Sequence, residues 1–155
     1  MKSSMEAMKQ QLGGILEPIW FTSSNHEIQL IIERCGPENG QIYLLLPALS
    51  TISSRAEWKN FAQSAGNQSH LVSFDWPGFG DSDRPNINYT IETLKQALRA
   101  VLQHLEKFKQ QQITLVAAGH SASVALGLAA ESSANWKKLI LVAPTWRGPL
   151  PTMMS

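Results

Sequence analysis

Residues 113–123 read Ile113-Thr114-Leu115-Val116-Ala117-Ala118-Gly119-His120-Ser121-Ala122-Ser123, and the reading of the fold turns on them. Ile113 to Ala118 is a continuous run without polar alternation, the pattern of a strand covered on both faces in a parallel sheet. From Ser123 to Glu131 the residues are small and apolar, as in a helix packed tightly on a sheet. Between them lies a turn of small residues. A serine on such a strand-to-helix turn is held in a strained backbone conformation that lifts its hydroxyl clear of the sheet. The turn needs small residues two places to either side, because the strand and helix backbones nearly touch; Gly119 and Ser123 fill those places. The next N–H, that of Ala122, then points where an oxyanion would form, at the positive end of the helix. Ser121 is therefore the candidate nucleophile. The plainer alternative is an ordinary strand-to-helix turn in which glycine and serine are only small.

The same grammar extends outward. Ile42 to Leu46 and Leu139 to Val142 are further apolar runs, and His70 to Phe74 is a shorter and less uniform version. Trp58, Phe61, Ala62 and Ala65 fall at helical spacing, with Ser53 or Ser54 as N-cap and Gly66 just past the end. Ile91, Leu94, Leu98, Val101, Leu102, Leu105 and Phe108 make a longer stripe capped by Thr90. Residues 15–34 differ: Ile19, Trp20 and Phe21, a Ser23-Ser24-Asn25 turn, then Ile28, Leu30 and Ile32 in alternation predict a hairpin with one better-buried face. The expected fold class is α/β, a mostly parallel sheet of about six strands with helices on both faces. Residues 1–14 carry no pattern that demands structure and are expected to form a flexible N-terminal arm; 15–155 form the domain.

Composition bounds the function. The chain has 155 residues, 43% hydrophobic and only 16% charged against about 25% in an average domain, so much of each segment is buried. A net charge of +1 supplies no reason to expect nucleic acid or an anionic membrane as partner. Cys35 is alone, which excludes a disulfide scaffold and fits a reducing, cytoplasmic compartment. No run reaches the roughly 18–20 apolar residues of a membrane span. No pair of histidines has metal-ligand spacing, so neither metal nor cofactor is expected.

A second signal lies in Phe74-Asp75-Trp76-Pro77-Gly78-Phe79-Gly80-Asp81-Ser82-Asp83-Arg84-Pro85. Its glycines and prolines demand tight, non-helical turns, and Asp75 and Asp81 read as turn-fixing side chains rather than catalytic acids. Gly78-Phe79-Gly80 lacks the later glycine and helix start of a dinucleotide loop. With Leu44-Leu45-Leu46-Pro47-Ala48-Leu49 before it and Gly119-His120-Ser121-Ala122-Ser123 after it, the chain resembles the first half of an α/β-hydrolase fold protein. The resemblance runs from about Ile15 onward. It implies Ser121 as nucleophile, an oxyanion hole from the N–H groups of Ala122 and Leu49, and structural roles for Gly119, His120, Ser123, Asp75, Gly78 and Gly80. It also implies ester or acyl chemistry on a small molecule rather than the carboxylate-nucleophile branches of the family.

Three departures stand against that. Pro47-Ala48 replaces the usual His-Gly, restricting the backbone that presents Leu49, and the elbow ends in Ser123 instead of glycine. The third concerns the general base: after Ser121 the chain contains no histidine and no aspartate, and Glu131 is its only carboxylate. A serine without histidine and acid is a weak nucleophile. The other histidines do not substitute: His120 diverges from its neighbour, His70 opens a strand at the far end of the sheet, His104 lies on a solvated helix flank, and His26 sits in the early hairpin. Two expectations follow. One is a serine hydrolase or acyl transferase, inactive alone, whose acid and histidine come from a C-terminal half or complementary chain. The other is a non-catalytic binding or assembly module of the same fold. The run at 139–142 stands at a sheet edge where a further strand is expected, so the half-domain form should self-associate or be poorly soluble unless its missing half is added, whereas a compact, self-sufficient module should stay monomeric.

Overall fold

The computed structural model describes residues 8–65, 68–108, 112–131 and 136–142. Within them one six-stranded sheet runs in the order β1-β2-β4-β3-β5-β6. Its strands are β1 (Ile15–Ser23), β2 (His26–Cys35), β3 (Gln41–Leu46), β4 (Ser69–Phe74), β5 (Ile113–Ala118) and β6 (Trp136–Val142). β1 and β2 form the expected antiparallel hairpin, closed by Ser24 and Asn25 at φ 52° and 63°. A two-residue turn with both central residues left-handed matches the twist of the flanking strands. β2 meets β4 antiparallel, and β4, β3, β5 and β6 are mutually parallel where they pair. The expected neighbours of β3, namely β5 on one side and β4 on the other, are the ones found.

The helices divide between the two faces. α2 (Ile91–His104) and α3 (Ser121–Ala129) cover one face, where Leu98, Val101, Val124 and Leu128 meet Leu44, Val72 and Leu115 in the main core. Thr90 caps α2 as its sequence implies, its side chain accepting from the Thr93 N–H. Past His104 the stripe continues as a 3-10 turn to Phe108. On the opposite face a 3-10 turn (Arg55–Trp58) capped by Ser54 leads into the short α1 (Lys59–Ser64). There Trp58 joins a smaller cluster with Leu45, Leu71 and Val116, and Ala62 and Ala65 pack beside it. Of the two predicted caps Ser54 is therefore the one used; Gly66 and the segment 143–155 lie outside the described residues. β6 starts earlier than its apolar run because Trp136 packs on the core while Lys137 and Lys138 stay exposed.

Two expectations need correction. β2 is not a strand with one buried face: Ile31 and Glu33 are as fully buried as Leu30 and Ile32, which alternate with them. The turn after β4 runs along the edge of β2, with hydrogen bonds from Asp75 N to Ile31 O and from Ile31 N to Ser82 Oγ. The arm also behaves differently over its second half. The backbone N–H groups of Gln11, Leu12 and Gly14 all donate to the buried carboxylate of Glu33, which fastens this stretch to β2.

Candidate active site

The loops after β3, β4 and β5 converge at the carboxyl ends of the parallel strands, where open α/β sheets place their ligands. Trp76 is wholly buried and donates from Nε1 to Pro47 O at 3.0 Å, tying the loop after β4 to the loop after β3. His120 N donates to Ala48 O at 2.9 Å, tying the turn after β5 to the same loop. The expected stations are thus brought together.

The turn after β4 is built around Asp75. Its carboxylate, fully buried, accepts from Arg55 N at 2.7 Å, from Asp81 N at 2.9 Å and from the Arg55 guanidinium. Gly80 sits at φ +51°, and a Cβ there would lie 2.3 Å from that carboxyl carbon. Gly78, at φ +90°, donates to Asp83 O and packs under Tyr89. Burial pushes the Asp75 pKa up, against the pull of Arg55 and the two N–H donors. This one carboxylate therefore links Arg55 to the Asp81 end of the turn.

The turn after β5 departs from expectation. β5 ends at Ala118 as foreseen, but the helix begins at Ser121 itself. The left-handed residue is Gly119, at φ +53°; among described non-glycine residues only Ser24, Asn25 and Leu49 have positive φ. Ser121 is fully buried, and its hydroxyl donates to Ala118 O at 2.6 Å, with Leu46 O 3.4 Å away. The expectation that strain lifts this hydroxyl clear of the sheet is corrected: a residue already in the first helical turn has no strain to lift it, and its side chain folds back onto the strand end. The oxyanion donors shift too. The Ala122 N–H donates to Gly119 O within the turn, while the N–H facing the loop after β3 is that of His120, and Ala48 O occupies it. With Ala48 in place of glycine, the backbone makes its left-handed turn at Leu49 (φ 64°). Ser123 is exposed, so the small residues two places from the left-handed position are Ala117 and Ser121, both buried. That alternative spacing, small residues flanking Gly119, was available in the sequence but masked by the more familiar Gly119-His120-Ser121.

The histidines fall as follows. His120 Nδ1 is buried without a hydrogen-bond partner among the described residues. His70 lies buried near the amino end of β4, where Nε2 faces Arg34 Nη1 at 3.1 Å; burial and that arginine lower its pKa. His104 is not simply solvated: Nε2 meets Glu17 Oε1 at 2.8 Å. His26 is exposed beside Ser24 O. No group of three or more metal-ligating side chains occurs among the described residues.

Sequence reasoning missed Arg55. It is 1% exposed and its guanidinium reaches Glu33, Asp75 and Asp81, with Lys9 O as a fourth acceptor. Nothing local marks it, since its partners come from separate segments of the chain.

The chain belongs to the α/β-hydrolase family, whose pattern matches residues 44–154, well over half of its length. Among solved structures it is similar to Cfl2 from Burkholderia cenocepacia, with 25% identity and a TM-score of 0.69 over 88% of this chain and 44% of that one. It is similar in fold to a thermophilic esterase from Thermogutta terrifontis, at 24% identity, TM-score 0.72, 89% and 48% covered. It also resembles in fold the haloalkane dehalogenase DatA from Agrobacterium tumefaciens C58, at 19% identity, TM-score 0.65, 86% and 43% covered. The chain thus spans less than half the length of these structures. None of the curated proteins matches it. No described helix is long and apolar enough to cross a membrane.

Proposed function

We propose that this chain is a non-catalytic member of the α/β-hydrolase family, a binding or assembly module in which Ser121 does not act as a nucleophile. One observation carries the reading: the left-handed position of the turn after β5 is Gly119, while Ser121 is helical, buried and hydrogen-bonded to Ala118 O. A nucleophile elbow needs its reactive side chain on the strained residue, and glycine has none. Ala48 supports the same reading, since a Cβ at Gly119 would lie 2.9 Å from the Ala48 methyl and the adjacent N–H is taken by Ala48 O. Whether or not further polypeptide supplies a histidine and an acid, glycine at that position offers them no hydroxyl to activate.

The assembly side rests on β6. It is the last strand in the sheet order among the described residues, and Ile140 and Val142 are exposed on it. An apolar strand at that place in the sheet favours pairing with another chain, against the repulsion of Lys137 and Lys138. We assign the module to a cytoplasmic setting because its single cysteine is free. Sedimentation of the purified chain should show concentration-dependent association; a clean monomer at high concentration would overturn the assembly role.

The second reading, a serine hydrolase acting on a small ester or acyl substrate, is favoured by the order Gly119-His120-Ser121 and the family. A fluorophosphonate probe applied to a lysate of the native cells, with every partner present, separates the two. We expect no adduct at Ser121 by peptide mass spectrometry. An adduct there, with ester turnover of about 1–10³ per second lost in Ser121→Ala, would establish the hydrolase.

A further inference from the structure

We propose that residues 9–14 act as a strap whose docking on Glu33 is coupled, through Arg55, to the order of the loop after β3. Glu33 is fully buried and carries four strong contacts, three of them N–H groups of the strap and the fourth Arg55 Nε at 2.8 Å. Arg55 returns to the strap by donating from Nη2 to Lys9 O at 2.9 Å. The same guanidinium holds Asp75 and Asp81, and the Arg55 N–H holds Asp75 again. Through the 3-10 turn that Arg55 opens, Glu57 Oε1 accepts the Ala48 N–H at 3.0 Å. Polar contacts, joined through the backbone of the Arg55–Trp58 turn, thus run from the strap to the residue that occupies the turn at Gly119.

The strap is held chiefly by these contacts. Leu12 is its only side chain in a hydrophobic cluster, and cavities of about 300 Å³ and 370 Å³ lie against it, lined by Gln10, Gly13 and their neighbours. Losing the strap would strip a buried carboxylate of three donors, a costly state that the fold relieves by letting the carboxylate and its arginine move. Movement of Arg55 then frees the segment 47–57. The coupling is reciprocal, so anything that orders the loop tightens the strap.

Hydrogen exchange on the full chain tests this with two variants. Leu12→Pro deletes one strap donor and leaves every buried charge in place; Glu33→Gln weakens the hub itself. In both, peptides spanning 8–14 and 47–57 should exchange at least about tenfold faster than in the parent, while β5 and α3 keep their protection. Fast exchange confined to 8–14 in Leu12→Pro, with 47–57 unchanged, would overturn the coupling. So would uniform loss of protection across the sheet in Leu12→Pro, which would make the strap part of the global folding unit. Should Glu33→Gln fail to fold, the Leu12→Pro result decides alone.

Discussion

Two turns at the carboxyl end of the sheet carry family-like sequence, and they seat it in different ways. After β4, Asp75, Gly78 and Gly80 take the roles their chemistry requires: a buried carboxylate collects two backbone N–H groups and an arginine, and two glycines take left-handed φ. After β5 the same kind of match settles two residues away, with Gly119 left-handed and Ser121 in the helix. The difference lies in what each motif binds. A carboxylate that must be paired admits one register, because a shift leaves a buried charge without donors. Ala117, Ala118, Gly119, Ser121 and Ala122 are all small, with His120 the one large residue among them, so sterics at the flanking positions accept more than one register, and the residue that tolerates positive φ takes the strained place.

That contrast can be broken by mutation. The largest effect is expected from Asp75→Ala, which leaves Arg55 buried without its closest partner and should cost about 3–5 kcal/mol in urea unfolding. A loss under about 1 kcal/mol would show that Glu33 and Asp81 suffice to hold Arg55. Next come the two left-handed glycines. Gly80→Ala drives a methyl to 2.3 Å from the Asp75 carboxyl, whereas Gly119→Ala meets the Ala48 methyl at 2.9 Å and its carbonyl oxygen at 3.1 Å. Both bear a left-handed backbone cost of about 1–2 kcal/mol, so Gly80→Ala should be the worse by a further margin within the usual range of about 0.5–3 kcal/mol. Equal losses in chemical denaturation would mean that the turn after β4 gives way as easily as the elbow. Smaller again, Ser121→Ala removes one buried hydrogen bond and should cost about 1 kcal/mol without altering any ester hydrolysis by the chain. A selective drop in hydrolysis at unchanged stability would return Ser121 to the nucleophile position.

The smallest effect is a titration at the other end of the sheet. His70 binds its proton less readily in the fold than in the unfolded chain, so the unfolded state takes up more protons below about pH 6.5 and stability falls on acidification. Glu17 adds a second step lower down. Burial raises its pKa, but hydrogen bonds from Arg34 and His104, with the nearby charges of Arg34 and Lys107, outweigh this and hold it at about 2. Its contribution is present above its unfolded value of 4.5 and is lost as pH falls toward 2. His70→Gln should flatten the upper step of a stability-against-pH curve and leave the lower; an unchanged upper step would assign it to another group.

Much of this molecule was legible as a string of residues. Apolar runs at 42–46 and 113–118, a less uniform one at 70–74, stripes at helical spacing and the Ser24-Asn25 turn determined an α/β sheet with an antiparallel start, because periodicity reports which faces meet the core. The tight, non-helical course of the chain around Asp75 was equally plain, since its glycines and prolines allow few chain paths. The tertiary structure alone decided the rest. Which of two small-residue registers the elbow adopts depends on the approach of Ala48 from another loop, and no local rule carries that distance. The burial of Glu33 and Arg55 was likewise invisible, because each is an ordinary charged residue until strands, loop and strap converge on it. Local pattern sets the elements; the partners of a buried charge, and the residue that must bear strain, exist only after the chain has closed on itself.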